Sequence, residues 1–261
     1  MTVFKKELRA NLAGFLIWTA CVGGLMTMCV WMYPSFAGSM DEVTDLFAGM
    51  GGFSSAFGMD KLAFGSIMGF YGMECGNIMG LGGAFFAAVT GMGLLAGEEG
   101  GHTAEFLLTH PVSRARIALE KLAALAVMIL ALNAVCAACG LGSILGIGEE
   151  PVWSDLLKYH GMQLLMQLEI GGICFGLSSL LRRSSYGLAI GAAMGLYFLG
   201  IFINMDTSLE PLRFVTPYYY AEAARVFAGE PLADAVAAGC GLGALGAAFG
   251  LWRYGRKDIA A

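Results

Sequence analysis

The chain has 261 residues, of which 57% are hydrophobic and 13% charged, and its mean hydropathy is +0.70. Water-soluble domains carry about 25% charged residues, so this composition excludes a soluble enzyme and points to a membrane protein. The net charge of −5 gives no sign of nucleic acid as a partner, and none is expected.

Charge-free runs define the architecture. Arg9 to Asp41, Glu74 to Glu98, Lys121 to Glu149, Arg183 to Asp206 and Asp234 to Arg253 each enclose 18 or more uncharged residues. A helix needs about 20 apolar residues to cross roughly 30 Å of hydrocarbon. A sixth run, 156–181, is interrupted by Lys158, His160 and Glu169. The expectation is an all-α membrane protein with six transmembrane helices forming a single domain over 1–261.

In chain order, residues 1–12 predict an interfacial elbow helix. Phe4, Leu8, Leu12 and Phe15 recur at helical spacing, with Lys5, Lys6, Glu7 and Arg9 elsewhere around it. The first span then runs to Tyr33, with Pro34 marking its end. Ser35-Phe36-Ala37 resembles a signal cleavage site, but the apolar run exceeds the usual 7–15 residues of a signal, which favours an uncleaved span. Met40, Val43, Leu46, Phe47 and Met50 form an apolar stripe, which predicts a short amphipathic helix on the outer face.

Further spans are expected at 66–96, 117–146, 156–181, 186–205 and 234–253, with an external segment at 206–233. In that segment Pro217 precedes three tyrosines suited to the membrane–water interface. Among 39 glycines, several are spaced by four within spans: Gly72, Gly76 and Gly80; Gly172 and Gly176; Gly187, Gly191 and Gly195; Gly239 and Gly243. Small residues at this spacing let helix backbones approach closely in lipid. Cys136-Ala-Ala-Cys139 has redox or metal spacing without a companion cluster, and reads as helix packing. Gly241-Leu-Gly243-Ala-Leu-Gly246 lacks the strand a dinucleotide site requires.

Lysine and arginine fix the expected orientation. Both termini, the 97–121 segment and Arg182-Arg183 hold 11 of 15 basic residues, which places both termini in the cytoplasm.

The 98–116 segment reads as helix stop, short helix, stop, helix start. The second span is expected to end at Gly97. Gly100-Gly101 terminate, Thr103 caps a helix with Glu105 in its first turn, and Pro111 ends it. Ser113 then caps the next helix, which carries Arg114, Arg116, Glu120 and Lys121. Phe106, Leu107 and Leu108 cannot all turn from water on so short an element. They rest on the bundle or the lipid, or they fill a groove on a partner.

Within the spans, Glu169 most needs a partner, because an ionised carboxylate at bilayer centre costs about 2.5–3.5 kcal/mol. It reads either as a site on a translocation path with Gln167, or as a packing residue bonded to Asn133; packing is favoured. No His-x-x-His pair or G-x-S-x-G elbow is present, so no metal or catalytic residue is assigned.

The run "EEGGHTAEFLLTHPVSRARIALEK" closely resembles the first cytoplasmic loop of ABC type-2 exporter permeases. "FKKELRANLAGFLIWT" is similar to the family's elbow helix entering the first span, with "YPSF" at that span's outer end. "LRFVTPYYYAEAARVFAGEPL" resembles its last external segment, and "WRYGRKDIAA" its basic terminus. Many members have Gly-Thr where this chain has His102-Thr103.

The resemblance implies a permease subunit in a bacterial plasma membrane, working with a second permease copy or homologue and with cytoplasmic ABC ATPase subunits. The short helix would be the coupling helix. Glu98, Glu99, Glu105, Phe106, Leu107, Leu108, Arg114 and Arg116 would transmit force to and from the ATPase. No G-x-x-x-x-G-K-[ST] loop occurs, so ATP and Mg would belong to the partner and this chain would bind no cofactor. The alternatives are a stand-alone channel or proton-coupled carrier centred on Glu169, and an anchoring subunit that moves nothing.

Overall fold

A computed structural model describes residues 2–36, 38, 50–62, 65–100 and 113–257. Six long helices dominate: α1 (Thr2–Phe36), α2 (Ile67–Gly100), α3 (Arg114–Gly146), α4 (Trp153–Ser178), α5 (Tyr186–Met205) and α6 (Ala233–Arg256). Short helices lie at Gly52–Ala56, Tyr218–Ala221 and Ala223–Phe227, with 3-10 turns at Met59–Lys61 and Thr207–Phe214. No strand occurs among the described residues.

Two starts follow from capping. Ser113 Oγ accepts from the Arg116 amide at 3.3 Å and opens α3, as its position predicts. Ser185 does the same for α5 through the Leu188 amide. Several boundaries differ from expectation, and Pro34, expected to end the first span at Tyr33, lies inside α1, which runs to Phe36. No helix breaker separates residues 1–12 from the first span, so α1 is one continuous helix of 35 residues and not an elbow plus a span. At about 50 Å it exceeds the hydrocarbon thickness by several turns. Helix α2 also runs past Gly97 to Gly100, which makes Glu98 and Glu99 helical. The expected outer-face helix at 40–50 and the expected coupling helix lie outside the described residues, apart from Met50.

Five helices (α1, α2, α3, α5 and α6) are long and apolar enough to cross a membrane. The 26-residue α4 is not among them, since it carries Asp155, Lys158, His160, Gln163, Gln167 and Glu169. Its setting explains why such a sequence folds. It packs along α2 on one side and α6 on the other, with α3 behind. His160, Gln163, Gln167 and Glu169 are therefore buried against protein, whereas Lys158 near the start of the helix is exposed.

Glycines make that packing close. A Cβ added to Gly172 would lie 2.5 Å from the Gly243 carbonyl oxygen of α6, and one on Gly176 would lie 2.5 Å from that of Gly246. On the other side, a Cβ on Gly91 of α2 would lie 2.6 Å from the Gly171 carbonyl. Backbone meets backbone along both seams. The Gly187, Gly191 and Gly195 stripe of α5 behaves differently: an added Cβ there meets nothing within 4 Å, so this spacing serves no contact among the described residues. Cys139 of the C-x-x-C pair packs against α1 at Gly23.

Helices α1 and α3 pair along their length, and α1 also touches α2. Large apolar side chains including Leu16, Ile17, Leu130, Leu245 and Trp252 are exposed on the outside of the bundle. Gly172→Ala is expected to force α4 and α6 apart and cost about 1–3 kcal/mol. Gly191→Ala should be neutral. Thermal unfolding of the two variants in detergent, followed by loss of the monodisperse size-exclusion peak, checks both.

Candidate functional site

At the end of the bundle where the 101–112 segment emerges, a charge cluster joins the helix termini. Its centre is Lys121, the last charged residue before the apolar stretch of α3, with a side chain 1% exposed. Burying an ammonium costs several kcal/mol unless carboxylates accompany it. Two do: Glu7 of α1 at 2.7 Å and Glu98 of α2 at 2.9 Å. Tyr254 of α6 donates to Glu98 at 3.2 Å. Glu99 meets Lys257 at 2.7 Å, beyond the end of α6. The same Lys257 donates to the Leu181 carbonyl in the α4–α5 link at 2.6 Å, and its own carbonyl accepts from Arg114 at 2.7 Å. Glu120 of α3 accepts from the Phe4 amide at 3.1 Å, satisfying a first-turn donor that α1 leaves open.

The cluster explains why α2 does not stop at Gly97. The Glu98 and Glu99 carboxylates have cations waiting, and both residues are buried. Of the residues expected to transmit force, Glu98, Glu99 and Arg114 belong to this cluster. Arg116 lies outside it, exposed and paired with Glu120 along its own helix at 3.1 Å. Glu105, Phe106, Leu107 and Leu108 lie outside the described residues.

A second polar group runs through the interior on α4. Asn133 of α3 donates to the Gln167 side chain at 2.7 Å. Glu169 is therefore not the partner of Asn133; its Oε2 accepts from the Tyr220 hydroxyl at 2.8 Å. Gln163 donates to the Ala221 carbonyl at 3.0 Å. Nearer the start of α4, the Tyr71 hydroxyl and His160 Nε2 lie 2.9 Å apart, and Tyr159 packs edge-on against both rings.

Tyr220 comes from the segment expected to lie at the interface. Instead the two short helices at 218–227 enter the bundle between α2, α4, α5 and α6. Tyr219 and Tyr220 are buried, and Tyr218 donates to the Gly80 carbonyl of α2 at 3.5 Å. The reason is complementary: the polar face of α4 needs donors and acceptors, and α2 has glycine at 72, 76 and 80. A Cβ on Gly72 would lie 2.6 Å from the Phe227 ring.

A clamp around Arg225 holds this segment at its outer edge. The guanidinium bonds Glu222 at 2.9 Å, Glu230 at 2.7 Å and Asn204 of α5 at 2.7 Å, and stacks 3.9 Å from the Tyr219 ring centre. Lys61 reaches Glu230 at 2.9 Å. Burial pushes the Glu222 carboxyl above its usual range, even against Arg225, Asn204 and Lys61. Burial acts on Glu230 in the same direction, but the hydrogen bonds from Lys61 and Arg225 outweigh it and leave that carboxyl below its usual range. As pH falls, Glu222 takes up its proton first and Glu230 last.

Sequence reasoning missed Glu7, Lys121, Lys257, Tyr220 and Arg225 as site residues. A lysine bordering an apolar span was the one available signal, since it requires a carboxylate somewhere.

Lys121→Met is expected to leave Glu7 and Glu98 buried without their cation and to destabilise the bundle by about 3–5 kcal/mol. Adding Glu98→Gln should recover part of the loss. Denaturant or thermal unfolding of the single and double variants measures the difference.

A search of curated proteins gives no match. The family model for the ABC-2 family transporter protein matches residues 1–259, nearly the whole chain. Together with the apolar helices, that match makes the chain a membrane permease belonging to the ABC-2 transporter family.

Proposed function

We propose that the chain is the membrane-spanning subunit of an ABC exporter, driven by a separate ATPase that docks on the 101–112 segment. Helix α4 is the sixth span, carried across the bilayer inside a sheath of α2, α3 and α6. Six spans put both termini on one side. The basic residues at the ends of α1, α3 and α6 make that side the cytoplasm of a bacterial plasma membrane. ATP and Mg belong to the partner, and a second permease copy or homologue completes the pathway, through which substrate moves by alternating access.

The observation that carries this reading is the charge cluster. The 101–112 segment hangs between Gly100 and Ser113, and the helix ends on both sides of it are tied by Lys121, Lys257 and Arg114 to α1, α6 and the α4–α5 link. A push on that short segment reaches α1, α2, α3, the end of α6 and the α4–α5 link through bonds of 2.6–2.9 Å. Glu98, Glu99 and Arg114 are the residues that pass the force on. Phe106, Leu107 and Leu108 supply the apolar contact with the ATPase, and Glu105 and Arg116 set its register.

Phe106→Ala combined with Leu107→Ala should leave the chain folded, with unchanged size and yield, and abolish co-purification of a P-loop subunit after gentle detergent extraction. Retention of that subunit by the double variant would overturn the docking assignment. Were the wild-type chain to purify alone even after crosslinking, a carrier centred on Glu169 would take its place.

The Tyr220 bond supports a positioning role for Glu169, holding the 218–227 helices against α4. Glu169→Gln, which still accepts from Tyr220, is expected to retain transport. Tyr220→Phe removes the donor and should lower stability by about 1–3 kcal/mol. Loss of transport in Glu169→Gln at unchanged thermal stability would favour the carrier.

A further inference from the structure

We infer that the groove between α1, α2 and the start of α5 holds an anionic phospholipid from the leaflet on the side of the charge cluster. The groove has a volume of about 510 Å³. Its walls are Phe15, Trp18, Phe86 and Val89, with the Trp18 indole fixed by a 2.7 Å bond to the Gly82 carbonyl and Phe15 edge-on to Phe86. Three of its lining residues are glycines: Gly14 of α1, and Gly93 and Gly97 of α2. A Cβ at any of them meets nothing within 4 Å. Glycines along the α4 seams are filled by neighbouring backbone, but these three face open space.

Polarity is distributed as in a single-leaflet amphiphile. Lys6, Glu7, Glu98 and Lys121 line one end, and the aromatic residues line the other. From Lys6 to Trp18 on α1, and from Phe86 to Glu98 on α2, the chain advances twelve residues, or about 18 Å. That is close to half of a hydrocarbon core of about 30 Å.

The charged end also has a sign. Lys121 engages both Glu7 and Glu98, which are buried. The exposed charges beside the mouth are Lys6 on α1, and Arg182 and Arg183 next to the lining residue Ser184. Lys6, with 53% of its side chain exposed, reaches Glu98 only at 3.8 Å and is free to turn to a phosphate. An apolar slot one leaflet deep under a basic mouth fits a phosphodiester headgroup with an acyl chain. The exposed Tyr186 at the mouth suits the headgroup level.

The test is thermal unfolding of the purified full chain, with any subunits that accompany it, in mild detergent. Phosphatidylglycerol or phosphatidylcholine is titrated in, and native mass spectrometry counts the lipid retained. Phosphatidylglycerol should stabilise and remain bound, and phosphatidylcholine should do neither. Gly93→Leu, whose Cβ meets no described atom within 4 Å and whose side chain fills part of the groove, should melt like wild type without lipid and lose the phosphatidylglycerol shift. Lys6→Gln and Arg183→Gln should each weaken binding by about fivefold. Equal stabilisation by the two lipids overturns the inference, as does a phosphatidylglycerol shift that survives in Gly93→Leu. A fall in the size of the purified particle on Gly93→Leu also overturns it, and assigns the groove to a second copy of the chain. None of these readouts depends on the ATPase.

Discussion

A lysine ammonium almost wholly removed from water dictates how one end of this bundle is assembled. Lys121 sits where α3 turns apolar, with only 1% of its side chain exposed. Two carboxylates from two other helices must therefore arrive within bonding distance. Meeting that condition fixes the register of α1 and α2 against α3. It also draws in Tyr254 and sets Glu99 beside Lys257, so that α6 and the α4–α5 link are located by the same group of charges. The ends of the long helices at this face are placed by electrostatics, whereas their middles are placed by backbone contact.

The opposite end is organised by a different demand. Helix α4 buries His160, Gln163, Gln167 and Glu169, and these must be answered from within the protein. Asn133 answers Gln167, and the inserted segment answers Gln163 and Glu169 with the Ala221 carbonyl and the Tyr220 hydroxyl. That segment is in turn held by Arg225, which uses all three guanidinium nitrogens on Glu222, Glu230 and Asn204. A polar helix in the centre and a folded-in external segment are thus two halves of one solution to the cost of buried polar groups.

The helices were legible because long apolar runs leave few other structures open, and the Ser113 cap because its side-chain chemistry is local. The glycine spacing at 172, 176, 239 and 243 foretold a close seam, but the same spacing at 187, 191 and 195 makes no contact among the described residues. Periodicity marks a smooth face without saying what covers it. Partners distant in sequence were hidden for the same reason. Glu7 lies 114 residues from Lys121, and Tyr220 lies 51 from Glu169, so nothing local distinguishes Tyr220 from its two tyrosine neighbours. Assigning Asn133 to Glu169 failed by half a turn of α4, a difference that only the rotation of the helix decides. The absence of a break after residue 12 was also readable, since neither proline nor paired glycines occur there.

The seam between α4 and α6 has a mechanical consequence. Interlocked leucines resist sliding because each must leave its rotamer well before its neighbour can pass. Where Gly172 and Gly176 lie against Gly243 and Gly246, no side chains project to interlock. Small shear between packed helices is one of the ordinary ways a membrane bundle changes state. The smooth stretch is bounded, because the Phe175 ring seats against Gly250 on one side of it and Glu169, bonded to Tyr220, seats against Gly239 on the other, so any shear of α6 along α4 is confined between them.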